Sequence, residues 1–429
     1  MAKTQKNSKE RLGVMLVGLG AVSTTFIAGN YISLKRGTPF YGSLTQMQTI
    51  RIGKREDNRF IPIKNFLDLT DTKNFVFAAW DPIPDDAYTA AKKAQVLNES
   101  DLKSVRNELR SIRPMKAVFD KTFVRNIDGP NKKQYTSKLD AAKMLIEDII
   151  RFKEKEKCKQ LVIVNCASTE SYLEPSYIHS DIELFEKGLE KNAPEISPAM
   201  IYAYAAIKTR TPYANGTPSL AADIPALISL SKELKVPIAG KDFKTGQTFM
   251  KTVIAPALKA RMLGLKGWFS TNILGNRDGE VLADPLSFKT KEKSKLSVLD
   301  SILQPDLYPN LYRNYQHQVH INYYKPRGDD KEGWDNIDIF GWLGYPMQIK
   351  INFLCKDSIL AAPLVLDLIL FLDFAKRKGL YGVQDWLSFY FKSPMTDGKT
   401  VEHDFFIQHM KLKNMLRKLK KEKLITHLE

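Results

Sequence analysis

Cysteine is scarce in this chain of 429 residues, and its scarcity excludes two kinds of architecture. Cys158, Cys166 and Cys355 are too few and too scattered for a disulfide framework, and no two of them have the Cys-x-x-Cys spacing of a structural zinc site. Disulfide frameworks are characteristic of oxidising compartments. We therefore expect a cytoplasmic protein.

Long hydrophobic runs are missing as well. The most apolar stretch, residues 359–374, is interrupted by Pro363, Asp367 and Asp373, and it falls short of the ~20 apolar residues that a membrane span needs. The N-terminus is charged and leads directly into an apolar strand pattern, without the small-residue cleavage site of a signal peptide. The sequence predicts a soluble protein with no stable membrane association.

Motifs for several other functions are also absent. The chain has 65 Lys and Arg against 48 Asp and Glu, a net charge of +17, yet these basic residues form no aromatic-interleaved, zinc-finger or basic-zipper motif. This favours a small anionic ligand over nucleic acid. His317 and His320 have a spacing that could bind a metal ion, but no third ligand lies nearby, so no metal site is predicted. No Gly-x-Ser-x-Gly elbow indicates acyl transfer.

A glycine turn lies near the start of the chain. Residues 12–36 are a short apolar run, a turn containing Gly18 and Gly20, and then a helical pattern. This order predicts a strand, a phosphate loop and a helix whose first amides can hold a pyrophosphate. The third glycine of the usual fingerprint is replaced by Ser23, so a purely structural strand-to-helix turn is the alternative.

Further apolar runs that end in polar loops alternate with helical patterns, with strands predicted at 74–79 and 161–165 and helices at 87–97 and 139–152. This alternation is typical of a doubly wound parallel sheet, which binds its ligand at the carboxyl ends of the strands. Asp81 and the loop 167–170 should therefore lie beside the glycine turn. Asp81 is alternatively a turn residue before Pro82. Residues 37–71 are interpreted as an elaborated connection.

The pattern changes after residue 245, and strands at 318–324 and 347–353 indicate a second sheet. We predict an α/β protein: a Rossmann-like doubly wound parallel sheet with an inserted α+β catalytic and oligomerisation domain. The predicted parts are a dinucleotide-binding domain over 1–245, the inserted domain over 246–362, and a return to the first domain over 363–429. The last segment ends in a helix with Leu412 and Leu416 on its apolar face, while Lys413 and Arg417 are expected to be solvated.

Residues 267–295 are interpreted as an anion site. A polar turn with glycines at 275 and 279 and side-chain amides at Asn272 and Asn276 precedes four lysines within seven residues. Lys291 and Lys295 would share a helix face, where like charges repel unless an anion lies between them. A solvated lysine-rich helix start is the alternative. Asp357, before the apolar helix, is alternatively a simple N-cap.

Six motifs, in order over nearly the whole chain, resemble the myo-inositol-1-phosphate synthase family. They are Leu16-Val-Gly-Leu-Gly20, Trp80-Asp81, residues 240–248 (Gly-Lys-Asp-Phe-Lys-Thr-Gly-Gln-Thr), 272–279 (Asn-Ile-Leu-Gly-Asn-Arg-Asp-Gly), 287–295 (Ser-Phe-Lys-Thr-Lys-Glu-Lys-Ser-Lys) and 350–363 (Lys-Ile-Asn-Phe-Leu-Cys-Lys-Asp-Ser-Ile-Leu-Ala-Ala-Pro). The resemblance implies an isomerase that converts glucose 6-phosphate to inositol phosphate with recycled NAD. The implied steps are oxidation at C5, enolisation at C6, aldol closure onto C1 and reduction. The implied product feeds inositol phospholipid synthesis, and the implied assembly is a homotetramer built through the second sheet.

The resemblance also implies the site residues. The implied catalytic residues are Lys291, Lys331, Lys295, Asp242 and Asp357. Those that would bind the substrate are Thr245, Gly246, Gln247, Thr248, Leu274, Asn276 and Lys295. The NAD site would be formed by Gly18, Gly20, Ala21, Val22, Asp81, Ala167, Ser168, Asn272, Asp278 and Asp357.

The chain departs from the family pattern at several positions. The pyrophosphate turn lacks the usual Gly-x-Gly-Gly-Asn-Asn-Gly, Lys241 replaces an acid, and Arg277 replaces the second asparagine of the substrate turn. The family's C-terminal catalytic lysine is matched by Ile407, with Lys411 or Lys413 as substitutes if the alignment shifts. Two alternatives therefore stand beside the synthase: a simple NAD-dependent sugar-phosphate dehydrogenase, and a catalytically silent relative that binds NAD and anions.

Overall fold

Two β-sheets organise the chain in the computed structural model, which describes residues 10–398 and 400–426, except for the side chains of residues 278, 288 and 291–297. The strands are β1 Leu12–Val17, β2 Thr49–Ile52, β3 Arg59–Pro62, β4 Phe75–Trp80, β5 Gln160–Asn165, β6 Tyr213–Asn215, β7 Pro237–Gly240, β8 Gly264–Leu274, β9 Gln316–Tyr323, β10 Asp330–Phe340, β11 Pro346–Lys356 and β12 Gly382–Val383. The helices up to the middle of the chain are α1 Ala21–Arg36, α2 Leu44–Met47, α3 Ile63–Leu67, α4 Ala87–Ala94, α5 Glu99–Ser104, α6 Arg106–Ser111, α7 Lys138–Lys155, α8 Ile182–Glu190, α9 Pro198–Lys208 and α10 Pro225–Glu233. The later helices are α11 Gly246–Ala260, α12 Arg277–Leu282, α13 Pro285–Leu303, α14 Pro309–Tyr312, α15 Asp357–Arg377 and α16 Phe405–Leu419.

The first sheet is parallel and has the strand order β12-β7-β6-β5-β1-β4. Successive residues of β1 enter different cores: Val14 and Leu16 pack on one face, and Met15 and Val17 on the other. A strand with helices on both faces buries every residue in this way. The prediction of a doubly wound parallel sheet is confirmed. Because β4 and β5 flank β1 on opposite sides, a crevice opens at the carboxyl end of β1.

The second sheet has the order β11-β10-β8-β9, with β8 and β9 parallel and the other pairs antiparallel. Helices α11 and α13 cover its inner face, where Trp268, Leu299 and Ile337 form a separate core. Both strands predicted for this sheet are present as β9 and β11. The first part of the expected polar turn at 267–295 is instead the end of β8, since residues 264–274 pair with both β9 and β10.

The connection between β1 and β4 contains a small hairpin, β2–β3, and it is held to the rest of the molecule by the buried carboxylate of Asp367 on α15. That carboxylate accepts hydrogen bonds from the Ser43 and Thr45 hydroxyls at 2.6 and 2.5 Å and from the Leu44 and Thr45 amides at 2.7 and 3.0 Å. The Tyr390 hydroxyl donates a further bond at 3.1 Å. One acid therefore ties the connection to the first sheet's helical layer.

Helix α15 is continuous over 21 residues, with Pro363 inside it, and the apolar helix predicted from Ile359 onward is present. By length and composition this helix could cross a membrane, but 72% of its apolar window is buried inside the protein. Pro363 is the seventh residue of the helix, beyond the first turn, so it removes one intrahelical hydrogen bond to the carbonyl oxygen of Ile359. The helix packs on the first sheet as a core helix.

The C-terminal helix α16 was expected to present Lys413 and Arg417 to solvent. The structure contradicts this, because Arg417 is buried and its Nε donates to the Arg51 carbonyl oxygen at 3.0 Å. Lys413 is buried as well, and burial beside Arg417 lowers its pKa to about 8. Leu412 and Leu416 occupy the core as predicted.

Candidate active site at the junction of the two sheets

The glycine turn after β1 approaches the loop after β5 very closely. Gly18 has φ +87°, and a Cβ atom built on it would lie 2.9 Å from the Cα of Ala167. Gly20 caps α1 without a side-chain hydrogen bond and has open space in front of it. Ser23, in place of the third glycine, donates to the Gly18 carbonyl oxygen at 2.6 Å. The turn is therefore held by backbone and hydroxyl contacts and leaves the first amides of α1 open.

Asp81, directly after β4, is attached to this turn. Its Oδ2 accepts the Leu19 amide at 2.7 Å and its Oδ1 accepts the Ile83 amide at 2.8 Å. The second bond matches the turn role considered from the sequence, and the first joins β4 to the phosphate loop. Burial raises the pKa of Asp81, although both amide bonds and Arg277 act in the opposite direction.

Two adjoining cavities occupy the crevice. The smaller, about 100 Å³, is lined largely by apolar side chains that include Trp80, Val118, Phe119 and Tyr202. The larger, about 550 Å³, is polar and extends to the second sheet. Ligand sites typically have volumes of ~300–1,000 Å³. Of the residues predicted from the sequence, the larger cavity is lined by Gly20, Ala21, Val22, Asp81, Ala167, Ser168, Asp242, Thr245, Asn276 and Asp357.

A lysine that the sequence did not reveal lies at this cavity. Lys392 and Asp242 are both buried, with Nζ and Oδ1 3.2 Å apart. The segment around Lys392 runs antiparallel to the segment after β7, and the Lys392 amide donates to the Asp242 carbonyl oxygen at 2.6 Å. Phe243 and Phe391 stack beside the pair with ring centroids 6.4 Å apart. Backbone pairing therefore fixes the position of the ammonium group.

A second lysine–aspartate pair, with Lys331 buried and Asp357 half-buried, lies at the start of α15. The Nζ of Lys331 on β10 is 3.3 Å from Oδ2 of Asp357, the first residue of the helix. Asp357 is thus not the N-cap considered from the sequence, because Lys356 occupies that position. A Cβ atom at Gly246, the first residue of α11, would lie 3.7 Å from Lys331 Nζ. The pair and the N-terminus of α11 are neighbours.

The N-terminus of α11 carries the residues expected to bind phosphate. Thr245 caps this 15-residue helix without a side-chain hydrogen bond, and the buried hydroxyl of Thr248 has no partner among the described residues. The Gln247 side chain is turned away: its Nε2 donates to the carbonyl oxygens of Thr271 and Trp334, both at 3.1 Å. Gln247 can therefore contact a ligand only through its backbone.

The turn after β8 is largely committed to internal contacts. Asn272 is fully buried and its Nδ2 donates to the Gln247 side chain, so it lies beneath the cavity. Leu274 is also buried. Asn276 lines the larger cavity, with Oδ1 accepting the Gly279 amide at 3.0 Å and Nδ2 donating to Asp329 at 2.9 Å.

Three predicted residues fall outside the described side chains. Lys291 and Lys295 belong to the helical backbone of α13, and Asp278 belongs to that of α12. The helical pattern predicted at the lysine run is present as α13.

The alternatives considered for the C-terminal lysine lie away from the cavity. Ile407 is 44% exposed on α16. Lys411 forms an ion pair with Asp385 at 3.0 Å, outside the cavity lining. Lys244 is buried and donates to Gln408, and burial lowers its pKa to about 7, but it does not line the cavity. Ile407 does not line the larger cavity, whereas Lys392 does. The sequence signal was a lysine that follows the aromatic run 386–391.

The two histidines with apparent metal-ligand spacing lie on opposite faces of β9, because they are three residues apart in a strand. His317 Nε2 is 2.6 Å from Lys251 Nζ, whereas His320 packs against Phe269. Within residues 10–398 and 400–426 no group of three metal-ligating side chains is present.

Gly18→Ala is expected to lower the free energy of unfolding by ~1–3 kcal/mol and to weaken NAD binding, because the methyl group would meet the Ala167 backbone. Urea unfolding and calorimetric titration measure the two effects. Gly37→Ala is the matched control, since Gly37 also has positive φ but has nothing near its Cβ position. Equal effects of the two substitutions would contradict the close approach.

The free energy of unfolding is expected to fall between about pH 4.5 and 7 because of Glu170. Its carboxyl group is buried at the smaller cavity, where burial raises its pKa from 4.5 to about 7. The folded state then binds more protons than the unfolded state in this window, so stability falls as pH rises. Glu170→Gln, which retains an oxygen for the Ala199 amide, should remove the decline in urea unfolding series. The control Glu99→Gln, on the surface of α5, should leave the decline unchanged. A decline that persists in Glu170→Gln would refute the assignment of the decline to Glu170.

Comparison with known proteins adds independent findings. The NAD-binding family model described as myo-inositol-1-phosphate synthase matches residues 12–417. Inositol-3-phosphate synthase 1 of Bacteroides thetaiotaomicron is 51% identical over 426 residues, covering 99% of both chains. The Candida glabrata inositol-3-phosphate synthase is 31% identical and covers 97% of this chain and 87% of that protein. The crystal structure of inositol-3-phosphate synthase from Caenorhabditis elegans superposes with a TM-score of 0.90 at 25% identity, covering 96% of this chain and 86% of that one.

Proposed function

The chain belongs to the myo-inositol-1-phosphate synthase family, an NAD-dependent isomerase family that converts glucose 6-phosphate to inositol phosphate, and from this premise we propose which residues carry the reaction. The observation that carries the proposal is the presence of two lysine–aspartate pairs with buried lysines, Lys392–Asp242 and Lys331–Asp357, where the nucleotide crevice meets the second sheet. Such pairs suit a reaction that moves protons at carbon and stabilises oxyanions.

The residues at the first sheet fit NAD. The close approach at Gly18 leaves no room for a side chain, and the uncapped start of α1 at Gly20 offers amide donors to a pyrophosphate. The apolar smaller cavity suits the adenine ring, and Asp81 at the end of β4 lies where an acid recognises the ribose. Bound NAD supplies the hydride acceptor at the start and the hydride donor at the end, so none is consumed.

The substrate phosphate is placed at the N-terminus of α11. Thr245 and Gly246 begin this helix without a side-chain cap, so their region offers backbone amides and the positive end of the helix dipole. The unpartnered hydroxyl of Thr248 supplies a further donor. We assign Lys295 to the same phosphate from its place in the family motif.

Lys392 and Lys331 are assigned to oxyanion stabilisation and proton transfer. A ketone at C5 makes the C6 hydrogens acidic, and the enolate that forms on their loss carries negative charge on oxygen. An ammonium group held beside that oxygen stabilises it. Asp242 and Asp357 keep the two ammonium groups in position, and Lys291 is assigned to the same chemistry from its motif.

The reaction is tested by incubating the purified protein with NAD and glucose 6-phosphate and identifying the product by NMR. We expect a cyclic polyol phosphate without an aldehyde signal and without net NADH accumulation. Steady NADH release would favour a simple sugar-phosphate dehydrogenase. NAD binding without any turnover would favour a catalytically silent relative.

We also propose that the outer face of the second sheet joins copies of the chain into a homotetramer. Phe269, His320 and Trp334 stack along that face, with centroid distances of 5.1 and 5.5 Å. Trp334 is 38% exposed, and Leu354, which lies on the same face of β11, is 61% exposed. An apolar face of this kind commonly marks an interface. A cytoplasmic location, consistent with three free cysteines, is part of the same proposal.

The double variant Trp334→Lys, Leu354→Lys is expected to dissociate the tetramer, because like charges would face each other across a desolvated interface. Size-exclusion chromatography with light scattering measures the mass of the particle. Ile150→Lys, which replaces a side chain 46% exposed on α7, is the control and should leave the mass unchanged. A wild-type chain that is monomeric, or a double variant of unchanged mass, would refute the interface.

A further inference from the structure

Arg277, the first residue of α12, lies where the two cavities meet. Gly20, Asp81, Ala167 and Arg277 are among the residues that line both of them, and Arg277 is the cation of that shared set. We call this shared lining the waist. A dinucleotide with adenine in the smaller cavity and nicotinamide in the larger must pass its pyrophosphate through the waist.

The guanidinium group of Arg277 lies near enough to Asp81 to lower the pKa of that carboxyl, against the larger effect of burial. Its side chain is exposed, and in the part of the chain that the structure describes it makes no hydrogen bond and no ion pair. Two of the three other cations at the larger cavity are engaged, since Lys93 is 2.6 Å from Asp85 and Lys392 is paired with Asp242, and the third, Lys325, does not line the smaller cavity. Arg277 is therefore available to an anion that enters the waist.

The glycine turn, which lies opposite Arg277 in the proposed site, has its own hydroxyls occupied. In the turn after β1, the Ser23 hydroxyl donates to the Gly18 carbonyl oxygen at 2.6 Å. The Thr24 hydroxyl donates to the Gly20 carbonyl oxygen at 2.9 Å. Both hydroxyls are thus used locally, so the turn offers two phosphate groups only the backbone amides of α1, and Ser168 adds a neutral hydroxyl at the waist. A guanidinium group across the waist would supply the missing charge and the paired N–H donors that phosphate oxygens accept.

We propose that Arg277 clamps the pyrophosphate of NAD from the wall opposite the glycine turn, and that this chain thereby compensates for a turn poor in donors. The proposal rests on NAD binding by the proposed function. It makes Arg277 a cofactor-binding residue that determines affinity for the diphosphate portion of the ligand.

The test is isothermal titration of the full chain with NAD, ADP-ribose and adenosine. Arg277→Gln should weaken binding of NAD and ADP-ribose by ~10- to 100-fold, the loss expected for a charge-assisted contact, and should change adenosine binding by less than ~2-fold. Arg277→Lys, which keeps the charge but not the paired donors, should fall between wild type and Arg277→Gln. Lys325→Gln is the matched control, because Lys325 lines the larger cavity alone and its loss removes the same charge.

The outcomes separate the two proposals. Failure of the wild-type chain to bind NAD would overturn the proposed function. Wild-type binding that Arg277→Gln leaves unchanged would overturn the clamp alone. An equal loss in Lys325→Gln would also overturn it, since the effect would then be one of general charge.

Discussion

Replacing Lys392 with methionine is expected to lower kcat by ~10²- to 10⁴-fold, the range for loss of a positioned proton-transfer group. Its ammonium group lies at the larger cavity, 3.2 Å from Asp242, and methionine has a similar length but no charge or proton. NAD affinity should change by less than ~3-fold, because Lys392 lies beyond the waist. Steady-state kinetics with product detection and calorimetric NAD titration measure the two quantities.

Controls separate chemistry from folding. Lys411→Met removes a partly exposed lysine of α16 that is paired with Asp385, and it should leave kcat unchanged. The double variant Lys392→Met, Asp242→Asn removes the buried carboxylate that would otherwise lose its partner. If that double variant is as stable as wild type and still inactive, the loss lies in the chemistry. A Lys392→Met enzyme with wild-type kcat would sink the assignment.

Asp367→Ala should cause the largest loss of stability, ~3–5 kcal/mol in the free energy of unfolding. The substitution leaves the hydroxyls of Ser43 and Thr45, two backbone amides and the Tyr390 hydroxyl without their acceptor in a fully buried position. Urea unfolding followed by circular dichroism measures the change.

Asp385→Ala is the comparison for Asp367→Ala. Asp385 is a surface acid paired with Lys411, and its loss should cost less than ~1 kcal/mol. The connection 37–71 should also be the first segment cleaved by protease in the Asp367→Ala protein, since the acid is what holds it to α15. Equal stability of the two variants would contradict the role of the buried carboxylate.

The first sheet could be predicted from the sequence because its signals are local. The apolar runs that became β4 and β5 end at polar loops, and the glycine turn follows β1 immediately. The contacts between these elements are set by the parallel order of the strands, so Asp81 and the loop after β5 reach the turn as expected.

Contacts between residues that are far apart in the sequence could not be predicted from local sequence patterns. Lys392 is held by backbone bonds to a segment about 150 residues earlier, so the residues around it in the sequence do not indicate that it lies at the larger cavity. Gln247 matches the substrate motif, yet its side chain is used to join β8 and β10. The amphipathic pattern of α16 likewise did not indicate that Arg417 is buried and donates a hydrogen bond to the Arg51 carbonyl oxygen.

The chain passes between the two sheets twice: outward after β7, and back from β11 directly into α15 with no residue between them. Asp242 belongs to the outward crossing and Asp357 to the return crossing. The two carboxylates thus fix how each connecting segment is positioned between the two sheets. Adding or removing a residue in either segment would therefore move a proposed catalytic group. Other loops of the second sheet, such as the β10–β11 turn, carry neither carboxylate, so their lengths are not constrained in this way. We therefore expect the protein to tolerate an inserted residue at the β10–β11 turn and to lose activity when a residue is inserted in either connecting segment.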